Sequence, residues 1–326
     1  MDYRKFGKTD LKVSMLGMGT WQASLRGWGK DYSKESMIMA IRESFENGIN
    51  FFDTAEIYGD GISEKILSEA LSIYNREDYI IATKIAPFNL NNAEKSIDNS
   101  LKRLNSKYID LYQIHWPPSI YSKLDKLIKP LNEIVKKGKA RYIGVSTFDE
   151  NLIKKFQEYD LEIVSNQIRY SLLREYHNKS LIEYMKKYNI EVIAYSPLEM
   201  GALTGKYGKY RKPNGYVRKN NGIFRDLEKL EKLNSFLLEK SKKYNCTISQ
   251  LSLSYIIGKG HLPIPGAKTR EQARENAMSF SIKINDEDIK EIDNFVISLN
   301  IDPNNFFSKI KYIPSFIIKF LFPKFI

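Results

Sequence analysis

Cysteine is almost missing from these 326 residues. There is one, Cys246, and there are only three histidines: His115, His177 and His261. A single thiol excludes an intrachain disulfide and fits a reducing compartment. With no His-x-Glu-x-x-His or Cys-x-x-Cys spacing, a metal site is not expected. Long apolar runs are also lacking. No stretch reaches the ~18 residues of a bilayer-spanning helix. The opening Met1-Asp2-Tyr3-Arg4-Lys5-Phe6-Gly7 has no apolar signal core. The protein is therefore read as soluble and cytoplasmic. Nor is there a block of ~5–6 like charges, although 51 Lys and Arg outweigh 39 Asp and Glu for a net charge of +12. An excess dispersed in this way reads as a lysine-rich surface with no nucleic-acid partner, and it is compatible with an anionic ligand at one local basic cluster.

What is present is enough apolar material for a large core, 42% of residues, in a chain long for one ordinary domain but normal for an α/β barrel. Residues 3–14 predict a β-hairpin turning at Gly7-Lys8-Thr9-Asp10. Gly7-Lys8-Thr9 imitates the end of a phosphate-binding loop, but the glycine that motif requires is replaced by Asp2, which rules it out. Met15–Trp21 reads as a first barrel strand. Further strands are expected at 48–53, 79–84, 108–115, 142–146, 162–167, 192–196 and 262–265. Helical patterns separate them: one capped by Ser33 and stopped at Asn47-Gly48, one starting at Ser63, and one carrying Ile97, Leu101 and Leu104. Eight strand–helix units predict an α/β fold, a (β/α)8 TIM barrel, with an N-terminal β-hairpin. No repeat or boundary divides the chain, so 1–326 is read as one domain. Residues 200–222 break the rhythm as a long loop. Residues 301–326 form an apolar and basic C-terminal tail. It is expected to pack on the barrel or close over the pocket, a reading placed ahead of weak membrane-surface contact.

Four polar residues end successive apolar runs or lie just past them: Asp53, Tyr58, Lys84 and His115. In parallel strands joined by helices, strand-end residues gather at one face. Taken singly, a loop tyrosine or a strand-end lysine or histidine has a more ordinary role in packing or solvation. Their shared placement is what points to a site. A phenol, an ammonium, a carboxylate and an imidazole can protonate a carbonyl oxygen, with Lys84 expected to lower the pKa of Tyr58 and Asp53 to balance Lys84. His115 would orient the carbonyl. No side chain supplies a hydride, so a nicotinamide cofactor is implied.

These segments, with Asp53-Thr54-Ala55-Glu56-Ile57-Tyr58-Gly59, Asp110-Leu111-Tyr112-Gln113-Ile114-His115-Trp116, Ile143-Gly144-Val145-Ser146, Ser165-Asn166-Gln167, Tyr195-Ser196-Pro197-Leu198 and Ile264-Pro265-Gly266-Ala267-Lys268, resemble the aldo-keto reductase superfamily. The likeness runs from about Gly7 to Asn276 and is greatest to the prokaryotic branch that includes potassium-channel β subunits. The resemblance implies a catalytic set of Tyr58, Lys84, Asp53 and His115. It implies that Ser146, Asn166 and Gln167 bind the nicotinamide carboxamide, that Tyr195 stacks on the ring, and that Ser196 and Leu198 follow the pyrophosphate. Gly266, Gln272, Glu275 and Asn276 would hold the adenosine, and Lys268, assisted by Arg270, a 2′-phosphate. The implied cofactor is NADP(H), and the family uses neither a metal nor a Gly-x-Gly-x-x-Gly fingerprint. Trp21 and Trp116 would line the substrate pocket. Thr147 departs from the asparagine often found after the serine. The function so implied is NADP-dependent reduction of a small aldehyde or ketone; the alternative is a redox-sensing or regulatory subunit with little turnover. Neither the substrate nor the oligomeric state follows from the sequence.

Overall fold

The computed structural model describes residues 2–25, 32–118, 124–213, 218 and 222–301. The expectation for the tail falls on 302–326, and part of the 200–222 loop on 214–217 and 219–221, outside those residues. The chain opens with an antiparallel pair, β1 (Tyr3–Lys5) and β2 (Lys12–Ser14). Eight strands follow: β3 (Met18–Gly19), β4 (Phe51–Asp53), β5 (Ile80–Ile85), β6 (Ile109–Ile114), β7 (Ala140–Ser146), β8 (Ile163–Arg169), β9 (Glu191–Tyr195) and β10 (Leu262–Pro263). They pair in sequence order, every pair parallel. The expected (β/α)8 barrel is the fold.

The first and eighth barrel strands are shorter than their apolar runs suggest. Gly17 N donates to Pro263 O at 2.9 Å and Gly19 N to Pro265 O at 3.1 Å, which closes the barrel. Pro263 and Pro265 have no N–H, so this seam is bonded from one side only. The approach is close: a Cβ on Gly19 would lie 2.8 Å from the Ile264 carbonyl oxygen.

Helices α1 (Lys34–Glu46), α2 (Ile62–Leu71), α3 (Ala93–Leu104), α4 (Leu124–Lys136), α5 (Glu150–Glu158) and α6 (Glu175–Lys187) alternate with β3 to β9. They are followed by α7 (Leu227–Lys243) and α8 (Ile248–Gly258), then α9 (Arg270–Ala277) and α10 (Asp286–Leu299) after β10. Ser33 caps α1 as expected, in a reciprocal pair with Ser36. Among the described residues no helix is long and apolar enough to cross a membrane.

Two apolar layers result. One lies between strands and helices and includes Met37, Ile97, Leu131 and Phe156. The other fills the barrel's N-terminal end, where Phe6, Leu11 and Val13 of the hairpin pack on Phe51, Ile80, Leu111, Val164, Ile193 and Leu262. Burying side chains of this size stabilises by ~1.5–3 kcal/mol each. With that end filled, polar side chains are left to the opposite end, where the strands terminate.

Candidate active site at the C-terminal end of the barrel

Asp53 ends β4, Lys84 lies in β5, and His115 follows β6. Tyr58 reaches the same spot from the loop after β4. That loop is held by Glu56, whose carboxylate accepts from Ala86 N at 2.8 Å, Asn89 Nδ2 at 2.9 Å and Ser96 Oγ at 2.7 Å. Lys84 is fully buried. Its Nζ donates to Asp53 Oδ1 at 2.5 Å and Thr54 O at 2.8 Å, and stands 3.4 Å from Tyr58 Oη. Tyr58 Oη is in turn 3.5 Å from His115 Nε2. The four strand-end residues are brought together.

Burial sets the protonation states. It pushes the Tyr58 phenol well above its ordinary value, helped by the negative charge of Asp53 and by Tyr195. The direction is opposite to the expected acidification of the phenol, because burial outweighs the nearby ammonium. Burial, then the Lys84 charge, pushes His115 well below its ordinary value, so the imidazole is neutral. Burial also lowers Lys84, opposed by attraction to Asp53 and Glu64.

Aromatic walls stand over this cluster. Trp21 stacks near Tyr58 with ring centroids 6.1 Å apart, and Trp116 lies 5.0 Å from the His115 ring. Trp116, Ile57, Phe88 and Ala86 form a small apolar group of their own.

The residues expected around a nicotinamide are placed less uniformly. Gln167 reaches into the barrel, its Nε2 2.8 Å from Asp53 Oδ2. Ser146 Oγ donates to Gln167 O at 2.9 Å. Thr147 adopts a left-handed φ of +61°, a conformation that strains a β-branched side chain and that asparagine tolerates better. Asn166 is turned elsewhere: its Nδ2 donates to Phe148 O at 2.9 Å and its Oδ1 accepts from Phe148 N at 3.4 Å. With both amide atoms engaged it braces the turn after β7. Tyr195 is half-buried at the end of β9, and Ser196 and Leu198 begin the irregular segment behind it.

Near α9, Lys268 Nζ lies 4.4 Å over the Tyr32 ring, while its backbone N–H donates to Gln272 Oε1 at 2.9 Å. Arg270 Nε and Arg274 Nε both donate to Glu43 of α1, at 2.8 and 2.9 Å. Their hydrogen bonds hold the Glu43 carboxyl below its usual range. Glu275 Oε1 accepts from Thr247 Oγ1 at 2.7 Å, and Asn276 Nδ2 donates to Gly266 O at 3.4 Å. Arg270 and Glu275 thus both take part in holding helices together. A Cβ on Gly266 would fall 2.2 Å from the Gln22 side chain, so glycine is what admits Gln22 there.

Three features escape the sequence reading. Gln113 is one, although it lies two positions before His115 on the same strand face, and that spacing is a usable signal. Glu56 is another. The third is Glu199, buried between Arg169, Arg174 and Ser171.

Residues 15–297 match the family model described as Aldo/keto reductase family. The NADH-specific methylglyoxal reductase of Escherichia coli (strain K12) is 31% identical over 312 residues, covering 86% of this chain and 94% of that protein. The chloroplastic pyridoxal reductase of Arabidopsis thaliana is 31% identical over 315 residues, covering 88% and 85%. Among solved structures, a thermostable aldo-keto reductase, Tm1743, is 30% identical with a TM-score of 0.77, covering 90% of this chain and 100% of its own.

Proposed function

The chain belongs to the aldo/keto reductase family, and from that premise we propose that it reduces a small aldehyde or ketone to the alcohol, using NADPH and Tyr58 as proton donor. The observation that carries this reading is the buried chain from Asp53 to Lys84 to Tyr58 Oη, with His115 Nε2 beside it. When bound, a reduced nicotinamide supplies the hydride.

Tyr58 keeps its proton at neutral pH because its pKa is raised. It releases that proton only to a strong base, which the carbonyl oxygen becomes as negative charge builds on it. The Lys84 ammonium, 3.4 Å away, stabilises the phenolate as it forms. Asp53 fixes that ammonium in place and offsets its burial. Neutral His115 offers a hydrogen bond to the same oxygen without competing for the proton. Trp21 and Trp116 exclude water from the reacting centre.

Two observations support a dinucleotide at this face. Two guanidiniums, Arg169 and Arg174, gather at Glu199 in the segment after Tyr195, where a pyrophosphate would run. Among the described residues, the buried Arg169 Nε has no hydrogen-bond partner. Gln167 would hold the carboxamide, Tyr195 the ring, and Lys268 a 2′-phosphate. Lys268 supports NADP, although the Escherichia coli relative is NADH-specific.

The test is NADPH oxidation with a panel of aldehydes, ketones and sugars, in wild type and Tyr58→Phe. Tyr58→Phe should lose ~10²-fold or more in turnover while still binding cofactor. Near-normal turnover in that variant contradicts Tyr58 as the donor. Tight NADPH binding with no turnover of any carbonyl by the wild type would indicate the regulatory-subunit alternative.

A further inference from the structure

We infer that Gln113 is a positioning residue that couples the Asp53 carboxylate to the cofactor-amide residue Gln167. The inference rests on the reductase reading of this site.

Gln113 is fully buried inside the barrel. An amide at an inward strand position costs stability unless its polar atoms are hydrogen-bonded. Here they are. Gln113 Nε2 donates to Asp53 Oδ2 at 3.1 Å, and its Oε1 accepts from Gln167 Nε2 at 3.3 Å. Gln167 Nε2 also donates to Asp53 Oδ2, at 2.8 Å. Asp53 Oδ1 meanwhile holds Lys84 Nζ, which faces Tyr58. Five side chains, from β4, β5, β6 and β8 and the loop after β4, thus form one connected network. Gly144 on β7 makes the space for it: a Cβ there would lie 3.0 Å from Gln113 Cγ and 2.5 Å from Ser165 Oγ.

The two glutamines are not equivalent. Gln167 lies at the height of Ser146 in the paired strands, at the end where a nicotinamide would enter. A cofactor carboxamide that draws on Gln167 Nε2 competes with Asp53 for that donor. Gln113 lies deeper and has no such second demand. It keeps one donor on the carboxylate whichever way Gln167 turns, so the ammonium beside Tyr58 stays where Asp53 holds it.

Gln113→Met removes the donor with little change in volume. Its kcat should fall by about tenfold or more, the range for a hydrogen bond to a charged group. The KM for the carbonyl should stay within about twofold of wild type. The NADPH dissociation constant, read by fluorescence quenching with no carbonyl present, should rise about two- to tenfold, because Gln167 becomes the only amide donor to Asp53 and is held back. In an Asp53→Asn background the same substitution should change both quantities by less than about twofold. Gln113→Glu keeps the shape but sets a second carboxylate against Asp53, and should lose more activity than Gln113→Met.

A packing role gives the opposite pattern: Gln113→Glu is tolerated and Gln113→Met has the same effect in both backgrounds. Either result overturns the coupling. The titration needs no turnover. A wild type that reduces no carbonyl therefore removes the reductase reading, while the cofactor arm still decides Gln113. An active wild type matched by Gln113→Met in kcat and in NADPH affinity overturns the coupling alone.

Discussion

Burial is the largest influence on Tyr58, His115 and Lys84, and it acts on them in different directions: up for the phenol, down for the imidazole and the ammonium. The pH profile follows. With His115 pushed below 6.5, the folded protein keeps the imidazole neutral where an exposed one would gain a proton. No acid limb should appear near pH 6.5. Lys84 is pushed below 10.5 while Tyr58 is pushed well above 10.0, so on raising the pH the lysine loses its proton first. The alkaline loss of kcat/KM belongs to Lys84. A kcat/KM profile from about pH 5.5 to 10 checks both, and an inflection near 6.5 would contradict the neutral imidazole. The four residues were legible because each ends an apolar run or lies just past one. The direction of the Tyr58 shift was not, since it turns on how deeply the phenol is buried and on its nearness to Asp53, neither of which spacing encodes. Gln113 was within reach of the period-two rule, but a lone strand amide has many ordinary roles.

Among the elements, the pairing of α1 with α9 bears most on cofactor choice. Glu43 takes both Arg270 and Arg274, which leaves Lys268, at the start of α9, as the cation proposed to meet a 2′-phosphate. Lys268→Ala removes a charge-assisted contact worth ~1.5–3 kcal/mol. NADPH affinity should fall roughly ten- to a hundredfold, with NADH affinity little changed. Titrating both cofactors into wild type and variant checks this, and an equal loss for both would show that Lys268 supports the fold or the shared pyrophosphate. Helix ends were readable from capping chemistry, as at Ser33. The engagement of Arg270 was not, because its partner lies 227 positions away and a solvated arginine at a helix start looks the same in sequence.

At the scale of the whole molecule, the alternation of eight strands with helices predicted the closed barrel, but not where it is weakest. That place is the seam, where two amides, Gly17 and Gly19, bond to Pro263 and Pro265, whose imide nitrogens return nothing. The amides of Gly17 and Gly19 should exchange with solvent deuterium at least tenfold faster (roughly) than those of Tyr112 and Gln113 in β6, which is paired on both sides. Equal protection would show that the seam opens only with the whole fold. The hairpin at the opposite end has a consequence of another kind. With Phe6, Leu11 and Val13 stoppering the barrel, there is no way through it from below: a cofactor and a carbonyl that shared the upper mouth would form a stack, and the last to enter would be the first to leave.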